Sequence, residues 1–159
     1  MWQLRWQFVL GSGLSSQLIS WWGQGYNGWS HVDALLADGS CLGARSDVIG
    51  NIPAGVQVRP AGYEKWKRRQ VLTLDCTAHQ QEAWLKFLHS QIDKGYDQAD
   101  ILGFILGRPM KTAGHWICSA LQMDAAVVCG RMPRMDVTPQ QVAPNALHFA
   151  LLAMGAKAA

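Results

Sequence analysis

The chemistry that this chain could perform centres on one cysteine. Cys118 lies in the stretch GHWICSAL, residues 114–121. A cysteine nucleophile needs an accessible thiolate, a histidine that takes or shares its proton, and hydrogen-bond donors for an oxyanion. A helix predicted to begin near His115 would place Cys118 in its first turn. There the helix dipole lowers the pKa of a thiol, and backbone N–H groups remain free. Cys118 is therefore a candidate nucleophile.

Cys118 has a second interpretation as a packing residue, because free cysteine is among the most buried residue types. The other three cysteines lack its setting. Cys41 lies in a predicted strand, Cys76 closes another, and Cys129 lies near a helix C-terminus, where the dipole disfavours a thiolate. The four show neither a CxxC pair nor metal-ligand spacing with histidine. We therefore expect free thiols, no metal and no cofactor.

His31 is the best candidate for a general base among five histidines. It opens a predicted strand directly after the turn-rich segment GYNGWS. The others lie on an amphipathic helix, next to Cys118, or in the apolar C-terminal stretch: His79, His89, His115 and His148.

Hydrophobic alternation and turn signals predict a sheet in the first half of the chain. Asp38-Gly39 is a strong hairpin signal between two of its strands. The predicted strands cover residues 4–10, 29–37, 40–45, 56–59 and 70–75.

Helices are predicted mainly in the second half. Thr77, with Gln80 three residues later, caps a helix that runs to about residue 93. Further helices are predicted after a cap at Ser15 or Ser16, over 97–106, and from 115 to 128, the last ending at Gly130; the stretch from Asn145 packs as a final helix or strand. Strands first and helices after predict an α+β fold, with a small antiparallel sheet packed against helices.

Composition predicts one compact domain over residues 1–159, since 49% of the residues are hydrophobic and 16% are charged. The net charge of +3 is too small for a nucleic-acid binder, so no nucleic-acid partner is predicted. The one basic concentration is expected to be solvated: Lys65, Lys67, Arg68 and Arg69.

The targeting signals favour a protein that is cytoplasmic as synthesised. The stretch MWQLRWQFVLGSG is too short and too interrupted to be a signal peptide, and no transmembrane segment is predicted. Delivery to the periplasm or the cell wall would need another route.

Three short motifs in this order carry a family resemblance: SHVDALLADG (30–39), GYDQADILG (95–103) and WICSAL (116–121). Together they resemble the circularly permuted, papain-like cysteine hydrolases of the YiiX/YaeF type. These are relatives of the NlpC-type cell-wall amidases and of lecithin:retinol acyltransferase. In the permuted branch the histidine strand precedes the cysteine helix, and here His31 precedes Cys118.

The resemblance implies that Cys118 is the nucleophile and His31 the general base, without a cofactor. It also implies that Tyr96 lines the substrate cleft. The alternative for Tyr96 is a half-buried aromatic with a solvated hydroxyl. Ser119, beside the nucleophile, is assigned to the cleft as well.

Tryptophans near the proposed site have two possible roles, core packing and an aromatic wall for sugar or acyl chains. We assign Trp21 and Trp22 to the core, and Trp29 and Trp116 to the cleft.

Two positions depart from the family pattern. The family's polar third residue would fall near Gly43, which has no side chain to orient His31. Asp33 is the best substitute because residues two apart share a face of a strand. A carboxylate exposed at a strand edge is the alternative for Asp33, and a backbone carbonyl or a water could also orient the base. Ala120 stands where the family commonly has glutamate.

The expected function is hydrolysis of an amide or peptide bond, with peptidoglycan stem peptide as the first choice of substrate. This would suit a phage lysis or tail-associated enzyme, or an exported effector. The alternatives are a lipid acyl hydrolase or acyltransferase of the same fold, and a non-catalytic binding module that keeps the shape.

Overall fold

The fold is built on a long N-terminal strand, β1 (Trp2–Leu10). In the computed structural model, which describes residues 1–11, 28–97, 114–134 and 142–159, Leu4, Trp6 and Phe8 of this strand have no exposed surface. Alternate residues of a strand point to the same face, so these three form one apolar face. That face of β1 lies in the hydrophobic core.

Six strands form one antiparallel sheet around β1. The strands that join β1 are β2 (His31–Leu35), β3 (Cys41–Arg45), β4 (Gly55–Arg59), β5 (Arg68–Cys76) and β8 (Lys157–Ala158). Their order across the sheet is β4-β3-β2-β1-β5-β8. The strands β2 and β3 are buried along almost their whole length, so both of their faces are covered.

Three helices lie within the described residues: α1 (Ala78–Ser90), α2 (Cys118–Val128) and α3 (Pro144–Ala153). Helix α1 contacts β1 and α2, while α2 also contacts β2 and β3. The Trp84 ring of α1 meets the Trp6 ring of β1 edge to face, with centroids 5.7 Å apart. This aromatic contact joins the helical layer to the sheet.

A second, very short sheet pairs β6 (Gly95–Tyr96) with β7 (His115–Trp116) in parallel. It connects the end of the α1 region to the residues directly before α2. The register sets Tyr96 opposite Trp116, which places Tyr96 next to the start of α2.

Most of the predicted elements are confirmed, and the fold is mixed α+β with an antiparallel sheet and helices. The hairpin at Asp38-Gly39 joins β2 to β3, and Thr77 caps α1 with the expected capping box through Gln80. The C-terminal stretch forms a helix, α3, followed by β8.

The predicted start of the cysteine helix is wrong by three residues. His115 and Trp116 belong to β7, and α2 begins at Cys118 with Ile117 as its N-cap. Residues 115–116 are extended because they pair with β6, a tertiary contact that local helical patterning does not reveal. The correction moves Cys118 from inside the first turn to the first helical residue.

Several expectations lie outside the described residues. These are the helix after Ser15 or Ser16, the core positions of Trp21 and Trp22, and residues 98–106 of the predicted second helix. Within the described ranges, no helix combines the length and the apolar character needed to cross a bilayer.

Candidate active site

Strand β2 presents His31 and Asp33 on one face because they are two residues apart. The two side chains contact each other directly: His31 Nε2 lies 2.8 Å from Asp33 Oδ1. Both are buried, Asp33 completely. Asp33 is therefore not a solvated strand-edge carboxylate in this structure, and it is placed where it can orient the imidazole.

Gly43 of β3 provides the space that the Asp33 carboxylate occupies. A Cβ atom on Gly43 would overlap Asp33 Oδ1 and lie 3.0 Å from Asp33 Cγ. The position where the resemblance places a polar third residue is thus left without a side chain, and a carboxylate from the neighbouring strand fills the same space.

The second oxygen of Asp33 has its own partner. The Tyr63 hydroxyl donates to Asp33 Oδ2 over 2.7 Å. Arg59, which is fully buried, donates to the carbonyls of Gly43 at 2.9 Å and Gly55 at 3.2 Å, and its charge acts on Asp33. The buried carboxylate is thereby compensated by hydrogen bonds and by a cation, as a charge removed from water requires.

Cys118 lies near His31. It is the first residue of α2, and it is close enough to the imidazole for its charge to act on that of the ring. Since Nε2 of His31 faces Asp33, Nδ1 is the ring nitrogen left for the thiol. The structure thus brings together all three residues predicted to form the catalytic group.

The N-terminus of α2 is uncapped by a side chain, in contrast to that of α1. Thr77 accepts a hydrogen bond from the backbone of Gln80 in α1, whereas the apolar Ile117 makes no such bond in α2. The first N–H groups of a helix have no partner within the helix. Around Cys118 these groups and the helix dipole favour negative charge.

Burial alone would lower the pKa of His31, because it disfavours the charged ring. The negative charge of Asp33 outweighs this effect, together with the contacts to Cys118, and raises the pKa of His31 to about 9. The geometry therefore favours an imidazolium beside the cysteine at neutral pH.

The pKa of Asp33 is shifted in the complementary direction. Burial would raise it, but His31, the Tyr63 hydroxyl and the charge of Arg59 hold it below its usual value. Asp33 is consequently ionised when His31 is charged.

The remaining cysteines differ from Cys118 in their surroundings. Burial and the charge of Asp33 raise the pKa of Cys41 to about 12. Burial also raises the pKa of Cys76 and of Cys129. All four are free thiols.

Tyr96 is brought to the site by the short β6–β7 sheet. Burial raises the pKa of Tyr96, and negative charge on Cys118 would raise it further, so the phenol stays protonated and can donate a hydrogen bond. The sheet needs glycine at position 95, because a Cβ there would overlap the His115 ring.

The three other residues assigned to the cleft have different surroundings. Trp29 exposes only 8% of its surface and packs against Phe8 and His148 in the core, so it offers little wall to a substrate. The Trp116 ring meets Phe87 of α1 edge to face, with 6.1 Å between centroids. Ser119 is buried, and its hydroxyl has no hydrogen-bond partner among the described residues.

Four residues around the His31–Asp33 contact were missed by sequence reasoning: Arg45, Arg59, Tyr63 and Trp66. The interleaving of aromatic and charged residues in GYEKWKRR was the available signal. Its basic residues were expected to be solvated, and they are exposed. The aromatic residues of the same segment instead turn inward onto the site.

No metal site accompanies this arrangement in the part of the chain that the structure describes, where no group of three or more His, Cys, Asp or Glu is placed to bind an ion. No protein-family model and no curated protein matches the chain.

Proposed function

We propose that this protein is a cysteine hydrolase in which Cys118 is the nucleophile, His31 the general base and Asp33 the residue that orients His31. The observation that carries the proposal is the placement of Cys118 near a His31 ring that contacts the buried Asp33 carboxylate. Nucleophile, base and orienting group in this order are the elements that nucleophilic catalysis requires.

In the proposed reaction His31 holds the proton of Cys118, and the thiolate attacks the substrate carbonyl. The imidazolium then protonates the leaving group, the bond to that group breaks, and an acyl-cysteine thioester remains. A water molecule, which gives its proton back to His31, hydrolyses the thioester and regenerates the thiol. Asp33 stays ionised throughout and stabilises the imidazolium.

The oxyanion of the tetrahedral intermediate would be stabilised at the start of α2. The backbone N–H of Cys118 and the protonated Tyr96 hydroxyl are the donors that this region offers. The Tyr96 assignment also gives this residue a role in the cleft, as the resemblance implies.

The permuted papain-like fold and the substrate are part of the same proposal. An antiparallel sheet whose histidine strand precedes a cysteine helix supports the fold, and the resemblance to NlpC-type amidases favours a peptidoglycan stem peptide. The acyl group of a lipid is the alternative substrate.

Incubation with purified peptidoglycan and, separately, with phospholipid vesicles distinguishes these substrates by mass spectrometry. We expect soluble peptide fragments from peptidoglycan and none from Cys118→Ser or His31→Ala. Cys76→Ser, which removes the partly exposed thiol, is the matched control and should retain activity. Free fatty acid from the vesicles would assign the protein to the lipid class instead.

A non-catalytic binding module is the second candidate, and the burial of Cys118 favours it, since only 5% of the residue is exposed. The same experiment distinguishes it from an enzyme. A binding module would release neither product, yet would still sediment with peptidoglycan, and Cys118→Ser would sediment equally well.

A further inference from the structure

We propose that Tyr63 is a positioning residue of the catalytic group, and that its hydroxyl holds the Asp33 carboxylate in the orientation that binds His31. The inference rests on the proposed function and goes beyond it, because it adds a fourth residue from a loop outside the sheet. Tyr63 acts through Asp33. The side chains of Asp33 and His31 lie between Tyr63 and Cys118.

The geometry gives each Asp33 oxygen one partner. Oδ1 lies 2.8 Å from His31 Nε2, and Oδ2 accepts from the Tyr63 hydroxyl at 2.7 Å. A carboxylate held at only one oxygen can rotate about its side-chain bonds, whereas one held at both oxygens has a single orientation. The family's third residue is absent at Gly43, so this second contact substitutes for the support that a neighbouring strand would otherwise give.

The loop that carries Tyr63 is itself fixed to the sheet through Arg45. The Arg45 guanidinium donates to the Tyr63 hydroxyl at 3.3 Å and pairs with Glu64 at 2.8 Å. It also lies 5.4 Å from the centroid of the Tyr63 ring and 5.4 Å from that of Trp66. One half-buried cation thus sets the position of the phenol.

The same loop covers the imidazole. The Trp66 ring is stacked on the His31 ring, with 6.4 Å between centroids and 18° between planes. This contact limits the access of water to the His31–Asp33 hydrogen bond, and a drier site strengthens the electrostatic interaction. Loop, carboxylate and base therefore form one packed unit.

Several charged or titratable groups face this unit from the elements around it. Those that act on the charge of His31 or Asp33 are Arg59 of β4, Asp47 after β3, Cys41 of β3 and Cys118 of α2. Each stays in place when the Tyr63 hydroxyl alone is removed, so a Tyr63→Phe variant isolates that hydroxyl.

The test is a titration of the His31 imidazole by nuclear magnetic resonance in the wild-type chain and in Tyr63→Phe. Without its second contact, Asp33 is free to leave Nε2, and the attraction that raises the pKa of His31 weakens. We expect the pKa of His31 to fall by about one unit from its wild-type value, a tenfold change in the proton affinity. Alkylation of Cys118 by iodoacetamide at pH 8 should slow in the same variant.

Glu64→Gln is the matched control. It removes the ion pair that fixes the loop to Arg45 and leaves the Tyr63 hydroxyl in place. We expect this variant to keep the wild-type pKa of His31. An equal fall in both variants would assign the effect to loop docking and overturn the role of the hydroxyl.

A double variant extends the test. In Asp33→Asn, addition of Tyr63→Phe should change the pKa of His31 no further, because the hydroxyl acts through the carboxylate.

If the Tyr63→Phe chain does not fold, Arg45→Lys is titrated instead. It removes the guanidinium from the phenol and should shift the pKa of His31 downward by less; an unchanged value would overturn the inference.

The outcomes separate this inference from the proposed function. A raised pKa of His31 in the wild type that Tyr63→Phe leaves unchanged would overturn only the role of Tyr63. An ordinary pKa of His31 in the wild type, with alkylation of Cys118 unaffected by His31→Ala, would overturn the proposed function itself.

Discussion

The pKa values of two buried histidines of this protein, His31 and His148, are shifted in opposite directions. His31 and His148 expose 9% and 8% of their surfaces, and each has Nε2 2.8 Å from a side-chain oxygen. The oxygen belongs to a carboxylate, Asp33, in the first case and to an amide, Gln70, in the second. The pKa of His31 is raised to about 9, whereas burial and the charge of Arg68 lower that of His148.

The comparison shows that burial does not decide the charge of a histidine by itself. Burial lowers the pKa of both rings, and only a negatively charged partner overcomes this effect. The ring that lies near Cys118, His31, is the one that contacts a carboxylate. His148 instead packs edge to face with Phe8, with 4.9 Å between centroids, and serves the core.

The largest expected difference between the two histidines concerns the reactivity of Cys118. We expect His31→Ala to slow alkylation of Cys118 by iodoacetamide at pH 6 by at least about 10-fold, because the imidazolium that would stabilise a thiolate is lost. The rate is measured by mass spectrometry of the modified peptide. His148→Ala should leave the rate unchanged. A similar loss in both variants would remove the distinction between the two regions.

The second difference concerns the pH dependence of stability. The pKa of His31 is raised above its value of 6.5 in the unfolded chain, so its contribution is complete below pH 6.5 and is lost as the pH rises through about 9. The shift corresponds to about 3 kcal/mol in the free energy of unfolding. Urea unfolding at pH 6 and pH 10 measures it. Asp33→Asn should flatten this dependence, and His148→Gln should not; an equal loss in all three chains would contradict the assignment.

A substitution at Gly43 tests whether the Asp33 carboxylate occupies the space next to this residue. Gly43→Ala introduces a Cβ that overlaps Asp33 Oδ1, so we expect a loss of about 2 kcal/mol in the free energy of unfolding and a lower pKa of His31. In an Asp33→Ala background the same substitution should cost much less, because the overlapping carboxylate is gone. Equal costs in both backgrounds, from chemical denaturation, would show that the carboxylate does not occupy this space.

The smallest expected effect is a change in the pKa of His148 toward that of His31. Gln70→Glu places a carboxylate beside His148, and we expect its pKa to rise by about one unit, since His148 is otherwise next to Arg68. Nuclear magnetic resonance titration measures the change, and His31 in the same spectra is the internal control. An unchanged pKa of His148 would mean that a neighbouring carboxylate is insufficient to account for the state of His31.

Sequence reasoning could identify the strands and the catalytic candidates because local patterns specify them. The alternation of β1, the hairpin at Asp38-Gly39 and the capping box at Thr77 are each contained within a few residues. Asp33 could be proposed as the partner of His31 from the two-residue repeat of a strand. The structure places it there.

The rest of the site depends on contacts between residues distant in sequence. Tyr63 reaches Asp33 across 30 residues, and pairing of β6 with β7 keeps residues 115–116 from joining the helix. Trp29 was assigned to the cleft but lies in the core, because its place beside Phe8 and His148 depends on the position of α3. Such contacts leave no periodic signal in one sequence.

The central claim is that the protein surroundings activate Cys118 and no other thiol of this chain. The most direct test is the rate at which iodoacetamide modifies each of the four cysteines of the native wild-type protein at pH 6, followed by mass spectrometry. We predict that Cys118 reacts at least about 100-fold faster than Cys76, the thiol that is partly exposed. Equal rates at all four cysteines, or a faster reaction at Cys76, would contradict the account.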